Sequence, residues 1–541
     1  MALRTQFLAP GGSPSPLPDG AAARAAFADG PAAVALAAWF GTERLCALLT
    51  APAPGEALAS ALEADLIALD RRIGDQLDTV LHHPRLRRLE GRWRGLAWLA
   101  GRMPRQRPVQ LRLLSLSWEQ IADDLERGEV GPDPEDTPTD YDITRTHLYR
   151  KIHQDEFNMA GGRPFGLLVV DREISHRPRP DPEDRAGSPP TDDLTVIRRL
   201  ALIGAAAWAP VVVAASPTLL TDNSAARSFA PLGGEPDPAS VFDLPHYRRW
   251  RRLRGRDEAM FLAVVLPRLL ARPPWDDATG RGRPFRYLER ADTAQDRVWM
   301  SAVWAFAAVV ARAMGTYGWP ADLRGTDPGR VGGGLVTDLP EEPFPLGPDL
   351  TLPRPALDLT LGESQERRVE GSSERGLTAA GLIPLMPLPF GTEPAFGAPR
   401  SLHAPSVGGG RVAPLAISHT VSHVNLTLCV GRFAHTIKVV GRDMIGRFGR
   451  AETIESELRA WLRTYVNSSP TAGPDLRARR PLRDAALTVR EDRDQPGLFL
   501  CTVRLVPFFQ IDSLASSINF TTEFGTPMAL TATTGAVGES A

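Results

Sequence analysis

Ser175 and His176 are adjacent, with Asp171 and Glu173 just upstream, and these are the residue types that serine nucleophilic catalysis needs. A triad is defined by converging side chains. Neighbours on one extended stretch do not converge, and no GxSxG elbow occurs in the chain. A hydrolase using Ser175, His176 and a distant acid is the enzymatic alternative; no residue is assigned a catalytic role. His82 and His83 are of metal-ligating type, but consecutive residues on a helix diverge and no HExxH or carboxylate pattern accompanies them. They read as structural or capping, and no metal ligand is assigned. Asp155 and Glu156 read as helix surface or salt-bridge partners rather than as a general acid and base. Gly161 and Gly162, like Gly332 to Gly334, lack the spacing of a phosphate loop and read as turns, so no cofactor-binding residue is assigned.

The segment GRFAHTIKVVGRDMIGRF, from Gly431 to Phe448, is more specific. Arg432, His435, Lys438 and Arg442 recur at three- and four-residue steps, with Asp443 beside the last. On a helix they form one cationic stripe, either a solvated face or a docking stripe for an acidic surface.

The elements that must position these residues follow from periodicity. Leu62, Leu66, Leu69, Ile73, Leu77 and Leu81 define one apolar helix face from Leu58, closed by His82, His83 and Pro84. LEGRWRGLAWLAG predicts a second helix, and VQLRLLSLS from Val109 alternates like a strand. Ala201 to Leu220 is uncharged and about the ~20 residues of a membrane span, but Pro210, Ser216 and Pro217 interrupt it. It predicts a buried helix turning into a buried strand at Val211 to Ala214. Helices are also expected at Leu194 to Ala207, Tyr247 to Arg254 and Trp299 to Met314. A further one, bearing Ile454, Leu458, Trp461, Leu462 and Val466, follows Asn425 to Val440. Ala485 to Val489 and Phe499 to Val506 predict two strands around the turn-forming EDRDQPG. Loops are expected at Gly131 to Asp140, after His176 and at Gly371 to Gly409.

The chain has 541 residues, 43% of them hydrophobic and 23% charged, enough for a sizeable core and more than one domain. Its 62 basic and 64 acidic residues nearly balance, so there is no bulk electrostatic case for nucleic acid or an anionic membrane. Cys46, Cys429 and Cys501 are too few and too far apart for a disulfide framework or a CxxC zinc site, which fits a reducing compartment. The first residues show no secretory-signal core. The fold class expected is α/β (mixed α+β), with mixed sheets flanked by helices and flexible terminal arms. The domains expected are an arm at 1–57, a main domain at 58–370, a linker at 371–409, a carboxy-terminal domain at 410–524 and a tail at 525–541.

The run HLYRKIHQDEFNMAGGRPFGLLVVDREISH, from His147 to His176, combines a polar amphipathic helix, a glycine turn and a strand. Together with HHPRLRRLEGRWRGLAWL, AAAWAPVVVAASP, YRRWRRLRGRDEAMFLAVVLPRLLARPPW, WAFAAVVARAMGTYGWPADLRG, GRFAHTIKVVGRDMIGRF and VPFFQIDSL, in that shared order, it resembles the type VI secretion large sheath subunit family, TssC or VipB. The resemblance spans roughly Leu66 to Leu514. It implies a contractile tail-sheath-like subunit in the bacterial cytoplasm, without an obligatory cofactor. The partners it implies are a small sheath subunit of the TssB/VipA type, homologous neighbours in a helical tube, an Hcp inner tube, a baseplate and a ClpV-like AAA+ unfoldase. Nucleic acid is not among them, and the protein is not expected to be integral to a membrane. By the same resemblance Glu156, Phe157, Gly161, Gly162, Pro164, Phe165 and Gly166 shape the core signature, and Arg432, His435, Lys438, Arg442 and Asp443 are interface or structural candidates. The late strands and the amino-terminal arm are candidates for strand addition between neighbours. A specialised paralogue and another phage-derived contractile injection sheath are the alternatives within this class.

Overall fold

The computed structural model describes residues 31–107, 109–130, 141–159, 161–178, 190–221, 229, 238–276, 285, 287–293, 295–326, 331–347, 350–358, 371–388, 393–404, 423–445, 451–469, 473–491, 499–507 and 518–524. The acidic loop Gly131 to Asp140 and the tail after Phe524 lie outside them, as does most of the insertion after His176. The chain divides into two compact units, residues 1–87 with 274–297, and residues 88–273 with 298–541.

In the first unit, the helices Ala32–Phe40 and Thr42–Leu49 fold over the long helix Pro54–Leu81. Trp39 and Phe40 pack against Leu58, Leu62 and Leu69, and the Trp39 indole N–H donates to the buried Asp65 at 3.0 Å. The predicted apolar face is therefore only half covered: Leu66 and Ile73 stay exposed, because the short helices reach one side of it. The long helix ends where the histidines predict. His82 Nε2 lies 3.2 Å from the buried Glu289 carboxylate, which makes this histidine a structural partner.

The second unit is a mixed α/β body, as expected. A five-stranded sheet runs in the order β1-β2-β3-β8-β9, where β1 is Leu168–Ile174, β2 Val211–Ala215, β3 Leu262–Leu266, β8 Leu382–Pro387 and β9 Pro394–Phe396. The first four are parallel and β9 is antiparallel. Every residue of β2 and β3 is buried, which is why VVVAA and LAVVL read as continuous apolar runs. Val211, Val213, Leu262 and Val264 face a core with the helices Trp118–Glu126, Asp193–Ala207 and Arg248–Arg254. Val212, Ala214, Ala263 and Val265 face the helix Ala302–Tyr317. The stretch weighed as a membrane span is thus a core helix and a central strand. Among the described residues no single helix is long and apolar enough to cross a membrane, although the bent pair Ala32–Phe40 and Thr42–Leu49 passes by length and composition.

Two separate antiparallel pairs form as well: β4 Leu269–Leu270 with β5 Trp299–Met300, and β6 Glu341–Gly347 with β7 Leu350–Pro355. A third core forms where the helices Val424–Ile445 and Ala451–Arg463 pack on the antiparallel sheet of β10 Leu482–Glu491, β11 Phe499–Pro507 and β12 Ile518–Phe524. Phe499, Cys501, Val503 and Leu505 of β11 are buried as their alternation predicts.

Three local expectations differ. Trp299 and Met300, expected to open a helix, form β5, and the helix starts at Ala302 behind the Ser301 cap. Residues 371–409, read as loop, include the helix Gly371–Ala379 together with β8 and β9; prolines at 384, 387 and 394 mask the strand signal. Residues 109–117, read as a strand, belong to no sheet among the described residues.

Candidate functional site

Just before the signature run, the Thr146 hydroxyl accepts from Tyr149 N at 3.2 Å and so caps the short helical stretch that opens it at His147. Residues Arg150–Gln154 form a π turn, and Tyr149, His153 and Phe157 stack along one side, with ring centroids 5.0 Å and then 4.6 Å apart. Glu156 closes the turn that follows. One carboxylate oxygen accepts from Arg163 N at 2.8 Å and the other pairs with Arg112. Gly161 sits at φ +80°, in the left-handed region. Gly162 lies so close to the Glu156 carbonyl that a Cβ would collide with it. Pro164 is half-buried, Phe165 carries the Arg112 guanidinium 5.1 Å from its ring centroid, and a Cβ at Gly166 would meet open space.

The helix Val424–Ile445 completes the site. Three members of its stripe, His435, Lys438 and Arg442, meet the chain's own signature run. His435 is buried and its Nε2 lies 2.7 Å from the Ala207 carbonyl, to which it donates; its ring meets Phe157 edge-on at 5.5 Å. Lys438 Nζ stands 4.9 Å from the Phe157 ring centroid, a cation–π distance. Arg442 Nη1 donates to the carbonyls of Phe157 at 3.2 Å and Met159 at 2.8 Å. Arg432 is exposed, and the Asp443 side chain lies outside the described residues. The structure thus brings together Phe157 with His435, Lys438 and Arg442, whereas Glu156 and Phe165 engage Arg112 instead. The sequence reading missed Ala207 and Arg112; neither carries a local signal.

Burial holds His153 down to about 3, helped by the positive charge of Lys438 and by His435. Burial likewise holds His435 down to about 4 against the opposing Ala207 bond, with Arg432 and Lys438 adding to the depression. Both imidazoles are therefore neutral at pH 7 and act as aromatic packing with one donor. Burial pushes the Cys429 and Cys501 thiols up to about 12, far from reactive thiolates.

The residues weighed for hydrolysis occupy a different corner. Ser175 Oγ accepts from Thr218 Oγ1 at 3.2 Å and Ser175 N donates to Asp193 at 2.9 Å, while the His176 ring stacks on Tyr247 at 4.1 Å. All three of Ser175, His176 and Asp193 are buried. Asp193 also accepts from the Trp118 indole at 2.8 Å and pairs with Arg172 at 3.2 Å, so it ties helix to strand. Among the described residues no three metal-ligating side chains gather at one place.

This geometry joins the parallel sheet's signature run to the Val424–Ile445 helix through ring packing and carbonyl bonds. Residues 63–403 match the family described as EvpB/VC_A0108, tail sheath N-terminal domain, and residues 416–524 match EvpB/VC_A0108, tail sheath gpW/gp25-like domain. The chain belongs to this tail-sheath family. It is similar to the type VI secretion system sheath protein TssC1 of Pseudomonas aeruginosa, 27% identical over 463 residues and covering 84% of each chain. A solved sheath tail protein from Listeria innocua aligns over 63% of this chain and 61% of its own at 11% identity, with a TM-score of 0.28.

Proposed function

We propose that this chain is the large subunit of a type VI secretion contractile sheath and acts mechanically in the bacterial cytoplasm, without catalysis. The observation that carries this reading is the order of two tail-sheath domains along one chain. The similarity to a type VI sheath protein supports it along most of the chain's length. In this reading the chain pairs with a small sheath subunit, and the pairs stack into a tube around an Hcp inner tube on a baseplate. Contraction switches the lattice between two packings of similar subunits and drives the inner tube outward, after which a ClpV-like unfoldase dismantles the sheath. The signature run and the Val424–Ile445 helix form the rigid joint that keeps each subunit intact during that switch. Deleting the coding gene tests the proposal. Inner-tube protein disappears from the culture medium and returns on complementation with this chain; unchanged export overturns the assignment.

A further inference from the structure

β10 is an edge strand of its three-stranded sheet, paired with β11 on one side only. An edge offers a row of backbone N–H and C=O groups with which another chain can pair, so folded proteins cover it. Here two side chains do so. Glu455 Oε2 accepts from Val489 N at 3.0 Å, and Arg459 Nη2 donates to the Leu487 carbonyl at 3.3 Å. The two are also an ion pair with each other, one turn apart on the helix Ala451–Arg463. Donating to one carbonyl and accepting from the N–H two residues on is what a residue of a parallel neighbouring strand does, so the ion pair stands where a strand would.

The core sets this cover in place. Ile454, Leu458 and Leu462 are buried in the cluster that holds Leu487 and Val489, and Glu455 and Arg459 each follow one of these anchors in sequence. They therefore sit at the border of the buried stripe, against the strand. The chain beyond the helix extends the cover: Leu482 N donates to the Tyr465 carbonyl at 3.2 Å and Asn467 N to the Leu482 carbonyl at 2.8 Å, a parallel bridge of Val466 with Leu482. Backbone thus closes the start of the edge and side chains close its middle. The middle is the more easily opened part, because Glu455 keeps 23% and Arg459 46% of its side-chain surface exposed and water competes for both.

We propose that Glu455 and Arg459 guard this edge, holding β10 closed to backbone pairing with a second copy of the chain. The inference goes beyond the sheath reading and does not rest on it. A second copy is the partner to be excluded because it carries the same edge, and two such edges meet as an antiparallel ladder about a two-fold axis. The direction of the row is fixed by alternation: with Val489 N turned to Glu455, the amides of Ala485, Leu487 and Glu491 also point away from β11, and those of Ala486, Thr488 and Arg490 point towards it.

Hydrogen exchange and sedimentation of the full chain by itself test the guard. In dilute solution Glu455→Ala speeds exchange of the Val489 amide roughly tenfold, the scale of one lost hydrogen bond, and leaves the Thr488 amide unchanged. Glu455→Ala/Arg459→Ala then self-associates roughly tenfold more tightly than the wild type, for the same reason, and the amides of Ala485, Leu487, Val489 and Glu491 regain protection as its concentration rises. A double variant whose Val489 amide is freed but which associates no more than the wild type overturns the proposal. So does association that leaves those four amides fast. The wild type supplies a check that needs no substitution: a Val489 amide exchanging as fast as an unstructured one means that no guard exists.

Discussion

The rings of Phe157 and His435 meet edge to face with centroids 5.5 Å apart, and through that contact the signature run is fastened to the carboxy-terminal helix. Phe157 is buried with Ala207 and Ala209, and His435 donates to the Ala207 carbonyl, so one small cluster holds three elements together. Phe157→Ala removes a buried ring and leaves a cavity, at about 3 kcal/mol or more. Chemical denaturation of the wild type, both single variants and the Phe157→Ala/His435→Ala double variant measures it. Clear non-additivity between the two positions is expected, because the two rings touch.

Acid stability follows from the same cluster. His153 and His435 are held to about 3 and about 4, below the ordinary 6.5. The unfolded chain therefore binds protons that the folded chain refuses as pH falls through that window. Their contribution is complete above pH 6.5 and is lost progressively as pH drops from 6.5 towards 4, at roughly 1.4 kcal/mol per pH unit for each histidine. Replacing them, as in His153→Phe with His435→Gln, makes stability between pH 6.5 and 4 less steep in denaturant melts. An unaltered slope contradicts the assignment.

Arg442 spans the Phe157 and Met159 carbonyls. Arg442→Glu sets a carboxylate against two carbonyl oxygens and costs about 2–3 kcal/mol of docking, the scale of charge-assisted hydrogen bonds. Faster amide exchange at 157–162 reports the loss, and Arg442→Lys restores part of it.

The two glycines Gly162 and Gly166 separate by mechanism. Gly162→Ala drives a methyl into the Glu156 carbonyl and destabilises by about 1–3 kcal/mol, whereas Gly166→Ala meets open space and stays within about 0.5 kcal/mol. Thermal melts of the two variants side by side check this.

Asp193 accepts from Trp118, Ser175 and Arg172 at once while buried. Asp193→Ala deprives the buried Arg172 of this carboxylate and costs about 3–5 kcal/mol in an unfolding titration. A loss below 1 kcal/mol would show that the hub carries little of the fold.

Local pattern made much of this molecule legible. The continuous apolar run of β2 and the alternation of β11 each specify burial within a few residues, and both strands form where the pattern places them. The cationic stripe was visible too, but its direction was not. Spacing shows that Arg432, His435, Lys438 and Arg442 share a face of one helix, whereas what that face meets depends on Phe157, 285 residues from Arg442 in sequence. Residues 109–117 alternate as a strand would, yet they join no sheet among the described residues. Residues 371–409 misled for a different reason, since β8 runs between breakers while its residues Leu382 to Met386 are wholly buried.

Electron microscopy of this chain expressed alone and with the small subunit encoded beside it tests the sheath reading most directly. Tubules with a cogwheel cross-section are expected on co-expression and none from the chain alone. Soluble particles in both samples would contradict it.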